Sequence, residues 1–266
     1  MLDKFNRQIT YLRISVTDRC NLRCKYCMPE EGIKLLKHED ILSYDEIIDV
    51  IKVSIKKGIT KVRITGGEPL VRKGITDLVR LISTLNGIDD LSMTTNGILF
   101  EKYAEDLKMA GLKRVNISLD TLDAEKYKYI TRGGDISLVY KGIEAAIKLG
   151  FSPIKINCVV ANSSNEKDAL EVARYCKDLG LELRFIHQMD LESGSFSKVE
   201  GGSGGDCSNC NRLRLTSNGY FKPCLFNEHG YNIRSMGIES AINAAINNKP
   251  EFGSFNQSDN FYSIGG

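Results

Sequence analysis

No stretch of this 266-residue sequence approaches the run of about 18 apolar residues that a membrane-spanning helix needs. Its opening, Met-Leu-Asp-Lys-Phe-Asn-Arg, lacks the apolar core of a signal peptide. Neither sign of charge dominates. Lysine plus arginine number 36 and aspartate plus glutamate 34, and a formal charge of +2 excludes a polyelectrolyte that grips nucleic acid by bulk charge. Aromatic residues are only 8%, and there is no basic helix or aromatic platform for RNA. Histidine is scarce, with three in the whole chain. These absences lead us to expect a cytoplasmic protein with no membrane and no nucleic acid among its partners. What is present, 42% hydrophobic and 26% charged residues, suits a soluble globular chain long enough for one large α/β domain or two small ones.

Eight cysteines are many for a reducing compartment, where disulfides do not persist. Cys158 and Cys176 stand alone in apolar-periodic segments and read as small buried hydrophobes. The other six form two triplets: Cys20-x3-Cys24-x2-Cys27 early, and Cys207-x2-Cys210 followed after thirteen residues by Cys224. Thiols grouped in this way need a chemical explanation.

Short β-branched runs predict strands at 11–16, 61–65, 90–94, 114–118, 154–160 and 181–186. Amphipathic segments alternate with them. Ile47, Ile48, Ile51 and Ile55 recur at helical spacing behind a capping Ser43, and similar patterns cover 75–85, 102–110, 138–149 and 167–179. Six strand-helix steps imply a parallel sheet with right-handed crossovers. Six units fall short of the eight that close a barrel, so the expected fold class is α/β, a partial (β/α)6 TIM-like barrel with one open side, with an open Rossmann-like sheet as its rival. The barrel is expected over 1–190. Residues 191–206, rich in glycine and serine, read as a flexible connection, and 207–266 as a small C-terminal extension with a hairpin at Ser217-Asn218-Gly219, a helix over 238–247 and a diglycine tail.

The first triplet directly follows the first strand, at the carboxyl end where parallel-sheet enzymes place their chemistry. Zinc asks for four ligands in a closed shell, and the histidine nearest in sequence is His38. A [4Fe–4S] cluster held by three cysteines instead leaves one iron open to a ligand. For the second triplet, His229 leaves a zinc ribbon as an alternative.

Cys20-x3-Cys24-x2-Cys27, with Tyr26 before its last cysteine, resembles the radical S-adenosylmethionine (SAM) signature, and Gly66-Gly67-Glu68-Pro69 after the second strand resembles that superfamily's loop for the SAM amino group. Together with the late triplet, the segments 12–21, 27–29, 63–70, 94–97, 116–120, 184–186 and 211–215 and the terminal Gly265-Gly266 are similar to the GTP 3′,8-cyclase (MoaA) family of the radical SAM superfamily. That resemblance implies two [4Fe–4S] clusters, held by Cys20, Cys24 and Cys27 and by Cys207, Cys210 and Cys224, with SAM on the open iron of the first and the guanine base on that of the second. It implies SAM contacts from Tyr26, Gly66, Gly67, Glu68, Ser118 and Met189, and Thr94 nearer the nucleotide. Arg13, Lys61, Arg63, Lys155, Arg184, Arg212 and Arg214 would gather the triphosphate, for which planar guanidinium groups are well shaped. Arg13, Arg212, Arg214, Gly265 and Gly266 would take part in catalysis. An external electron donor is required, and a homodimer is left open.

Two features depart from the family. Only seventeen residues, 190–206, separate the Met189 region from the second triplet, where members usually carry more, and His187-Gln188 stands where an acidic residue is commoner. A paralogue acting on another nucleotide, or on a peptide with an auxiliary cluster, is therefore the alternative enzyme. A zinc or redox-sensing binding module is the non-enzymatic one.

Overall fold

In a computed structural model, residues 1–257 and Ile264 are described. The diglycine pair Gly265-Gly266 lies outside the described residues. Five βα units and a sixth strand run in order from the N-terminus: β1 (Tyr11–Ser15), α1 (Tyr44–Lys56), β2 (Lys61–Thr65), α2 (Ile75–Ser83), β3 (Asp90–Thr95), α3 (Phe100–Met109), β4 (Arg114–Ser118), α4 (Ala124–Thr131) with α5 (Ile136–Lys148), β5 (Ile154–Val160), α6 (Lys167–Asp178) and β6 (Glu182–His187). Beyond them come β7 (Arg212–Leu215), β8 (Tyr220–Lys222), β9 (Tyr231–Asn232), α7 (Ile233–Met236) and α8 (Ile238–Asn247). The strands form one sheet in the order β6-β5-β4-β3-β2-β1-β7-β8-β9. All pairings from β6 to β7 are parallel, and the last two are antiparallel. This is the expected partial barrel, extended past β1 by the hairpin.

Local chemistry explains the elements. The Ser43 hydroxyl accepts from the Glu46 N–H and the Glu46 carboxylate accepts from the Ser43 N–H, a reciprocal box that starts α1. The helix then buries Ile47, Ile48, Val50 and Ile51 against the sheet. Cys158 and Cys176 are buried in the same core, and all eight cysteines are free thiols.

The structure adds α4, which the sequence pattern does not predict, because only Tyr127 and Thr131 of its eight residues are buried and no apolar stripe marks it. It differs from expectation again at the connection between β6 and β7. Residues 191–206 pack against the protein: Leu191 and Val199 are buried, and Phe185 and Glu200 exchange two backbone hydrogen bonds of 3.1 Å, which lays the segment along the free edge of β6. Gly201 approaches so closely that a Cβ there would lie 2.4 Å from the Leu183 carbonyl oxygen. Its glycine serves contact with β6 and not looseness.

Candidate active site

The carboxyl ends of the parallel strands and the segment 191–206 enclose a cavity of about 550 Å³. All six cysteines of the two triplets line it. The first triplet sits in the loop after β1, and that loop is laced to the glycine turn after β2: Gly67 N–H donates to the Thr17 carbonyl at 2.7 Å and Glu68 N–H to that of Arg19 at 2.8 Å. A Cβ on Gly67 would fall 2.4 Å from the Arg19 oxygen, so the glycine is required by this approach. From the other side, the carbonyls ending α4 accept from Arg23 and Lys25, and Arg132 donates to the Arg23 and Met28 carbonyls.

The first donor set fits an iron–sulfur cluster. Its three thiols lie within electrostatic reach of one another, and burial, aided by the neighbouring thiols and Asp120, pushes Cys24 and Cys27 up, Cys27 to about 12. Ligation would therefore displace protons. Cys20 Sγ accepts from Leu22 N–H at 3.4 Å and from the Asn96 amide at 3.8 Å, contacts that favour a thiolate. Among the described residues, no three Cys, His, Asp or Glu side chains converge as they would around one metal ion. Thiolates on a cubane each take a different iron, whereas zinc gathers all its ligands around one ion.

Glu68, 1% exposed, accepts from Leu70 N–H at 3.1 Å, the Thr95 hydroxyl at 2.8 Å and Asn96 N–H at 2.7 Å, tying the glycine turn to the end of β3. Burial pushes its carboxyl up to about 7 against these donors. Tyr26 donates to Asp120 at 2.7 Å, and Asp120 also accepts from Val159 N–H at 2.8 Å. Burial lifts Asp120 to about 6. Asp120 and Asn96 lie inside segments noted for their family likeness, but their partners come from other strands and are invisible in sequence.

Gly66, Gly67, Ser118, Met189 and Thr94 also line the cavity. The cations form two rows across the sheet. Arg63, Arg13 and Arg214 are in register on β2, β1 and β7, and Lys61, Tyr11 and Arg212 repeat the pattern two residues earlier. The Arg63 guanidinium lies 5.4 Å from the Tyr11 ring centroid and that of Arg212 5.9 Å from it. Burial drives Arg13 well below the ordinary arginine value, with Arg214, Arg63 and Arg212 adding repulsion, and it brings Arg63 down to about 10. Cations held this close in a shielded space raise the local positive potential. Arg184, from β6, joins them in the lining. Lys155 is on the same face of β5, lower than the lining residue Asn157, and is ion-paired with Glu182, its register partner, outside the lining.

Around the second triplet, Cys207 and Cys210 form a turn leading into β7, and Cys224 follows β8. Burial raises the Cys210 thiol, but Lys249 and Arg212 more than offset it and hold Cys210 below its ordinary value. Phe196 of the connecting segment stacks on Phe226 with centroids 4.4 Å apart. The Ser203 hydroxyl accepts from Arg212 at 2.5 Å, and Glu200 meets His187 at 2.9 Å.

Residues 14–176 match the model of the Radical SAM superfamily. Among similar proteins, the GTP 3′,8-cyclase of Alkaliphilus metalliredigens (strain QYMF) is 42% identical over 299 aligned positions, covering 94% of this chain and 93% of that protein. The GTP 3′,8-cyclase of Petrotoga mobilis (strain DSM 10674 / SJ95) is 39% identical over 313 positions, covering 98% and 97%. As 94% of 266 residues is about 250, roughly fifty of the 299 positions in the first alignment face no residue of this chain. Among solved structures, Streptococcus suis SuiB bound to precursor peptide SuiA superposes with a TM-score of 0.68 at 16% identity, over 93% of this chain and 66% of that one. Methylornithine synthase (PylB) gives 0.58 at 17% identity, over 91% and 71%. The two structures share the fold, while the identity to the curated relatives is carried along almost the whole chain, and so the chain belongs to the GTP 3′,8-cyclase family of the radical SAM superfamily.

Proposed function

We propose that this chain is a radical SAM lyase that cyclises GTP to (8S)-3′,8-cyclo-7,8-dihydroguanosine 5′-triphosphate in molybdenum cofactor biosynthesis. The carrying observation is that both cysteine triplets and both cation rows open on one cavity. Its volume lies in the range of small-molecule sites.

Cys20, Cys24 and Cys27 would hold the superfamily's [4Fe–4S] cluster, and Cys207, Cys210 and Cys224 a second one. When bound with SAM, the first cluster supplies a 5′-deoxyadenosyl radical able to take a hydrogen atom from substrate. The residues of the chain bind and orient. Gly66 and Gly67 bring backbone close to the first triplet, Tyr26 is held by Asp120, and Ser118 and Met189 complete the SAM side, with Thr94 towards the nucleotide. Arg13, Lys61, Arg63, Arg184, Arg212 and Arg214 hold the triphosphate, with Lys155 below them at the foot of β5. Holding reactants in register converts an encounter into an effectively unimolecular step, which is the main contribution such a rigid sheet makes. Arg13, Arg212 and Arg214, with Gly265 and Gly266, form the set assigned to catalysis. The reducing electron comes from an external donor.

The short segment 191–206 favours a second reading, a paralogue that acts on another nucleotide or on a peptide. One experiment separates the two. Anaerobic reconstitution should load roughly eight irons per chain, and incubation with SAM, a reductant and GTP should yield 5′-deoxyadenosine together with the cyclised nucleotide. Deoxyadenosine without cyclised product moves the chain to the paralogue.

A further inference from the structure

Two buried cations of different character brace the second triplet. Arg7 donates to the carbonyls of Cys207 at 2.8 Å, Pro250 at 2.6 Å and Glu251 at 2.9 Å, and its charge is met by Asp3 at 2.6 Å. Lys249 is 2% exposed and lines the cavity, and its ammonium donates to the carbonyls of Arg212 at 2.8 Å and Pro223 at 2.7 Å. Those two carbonyls belong to the residue two after Cys210 and the residue just before Cys224. Among the described residues no carboxylate pairs with Lys249, and its side chain is pinned between the two arms that carry these cysteines.

We propose that Lys249 is a positioning residue for the second cluster, its ammonium acting as the fixed counter-charge of the Cys210 and Cys224 thiolates and favouring the reduced cluster. This rests on the assignment of Cys207, Cys210 and Cys224 as ligands of a second [4Fe–4S] cluster. Reduction adds a negative charge to the cluster, and a nearby cation in a shielded interior stabilises that state more than the oxidised one. Groups one shell beyond the ligands are known to tune metal centres in this way. Arg7, already neutralised by Asp3, contributes bracing without this bias.

The test compares the reconstituted wild type with Lys249→Met and Lys249→Gln, the latter keeping hydrogen-bond donors without charge. Iron is counted, and each cluster is followed by EPR in a redox titration. In both variants the second cluster should be about tenfold less reduced at a fixed potential, about 59 mV for a one-electron couple. The first cluster's midpoint should stay in place. If Lys249→Met loses the first cluster as well, it has failed to fold, and the glutamine variant decides. A second-cluster midpoint equal to that of wild type in the folded variant overturns the inference and leaves the two-cluster assignment standing. Equal iron in wild type and in a Cys210→Ala/Cys224→Ala variant removes the second cluster itself, and the inference with it.

Discussion

Arg13 lies between Arg63 and Arg214 on neighbouring strands, so three guanidinium groups stand in adjacent register. Removing the central charge should weaken the hold on an anion. Arg13→Met is expected to weaken GTP at least about tenfold, or about 1.4 kcal/mol. Calorimetric titration with GTP and with guanosine checks this, since the nucleoside should be little affected. Glu68 gives a pH signature. Its carboxyl is raised when folded, so its contribution to stability is complete below about pH 4.5 and is lost as the pH climbs to about 7. Glu68→Gln should be less stable throughout, because an amide presents a donor to the Asn96 or Leu70 N–H, yet denaturant midpoints should fall less between pH 5 and 7. An unchanged slope would place the titration elsewhere. At this scale the grouping of the cysteines and the shared face of Arg212 and Arg214 were legible, because spacing and i,i+2 alternation are written along the chain. Lys249 was not: in Asn247-Asn248-Lys249-Pro250 it resembles any surface lysine, and only the carbonyls of two distant strands reveal its burial.

The six barrel strands and five of their helices follow from apolar period and caps, which act within a dozen residues. The misses are elements stabilised by what they meet. Helix α4 has almost no apolar face, but its Asp123 cap accepts from Lys126 N–H at 2.8 Å and its final carbonyls secure the first cysteine loop. Asp123→Ala should cost about 1 kcal/mol, and faster loss of iron from the first site to a chelator would show that the helix end steadies the loop. The segment 191–206 misleads in the opposite direction. Its glycines suggest slack, whereas Gly201 is demanded by contact with β6, Ser203 meets Arg212 and Glu200 meets His187.

Across the whole molecule, the N-terminal segment and residues 250–251 meet at the second triplet. Asp3 and Arg7 form a buried pair near the N-terminus, and Arg7 reaches Cys207 and residues 250–251. Arg7→Met would strand the Asp3 carboxylate, at an expected cost of about 3–5 kcal/mol. Asp3→Asn/Arg7→Met should recover part of that loss in urea melts, and no recovery would mean that the carbonyl contacts, not the charge pair, carry the stability. The arc of six strands was predictable because βα repetition and crossover handedness leave few alternatives. The place of β7 beside β1 was not, since nothing local in 212–215 names its partner.

That placement bears on how the protein is made. Strand β1 leaves the ribosome long before its neighbour on one side, because nearly 200 residues separate Tyr11–Ser15 from Arg212–Leu215. Until then Tyr11–Ser15 is a bare margin in the middle of the future sheet, open to pairing with the wrong chain.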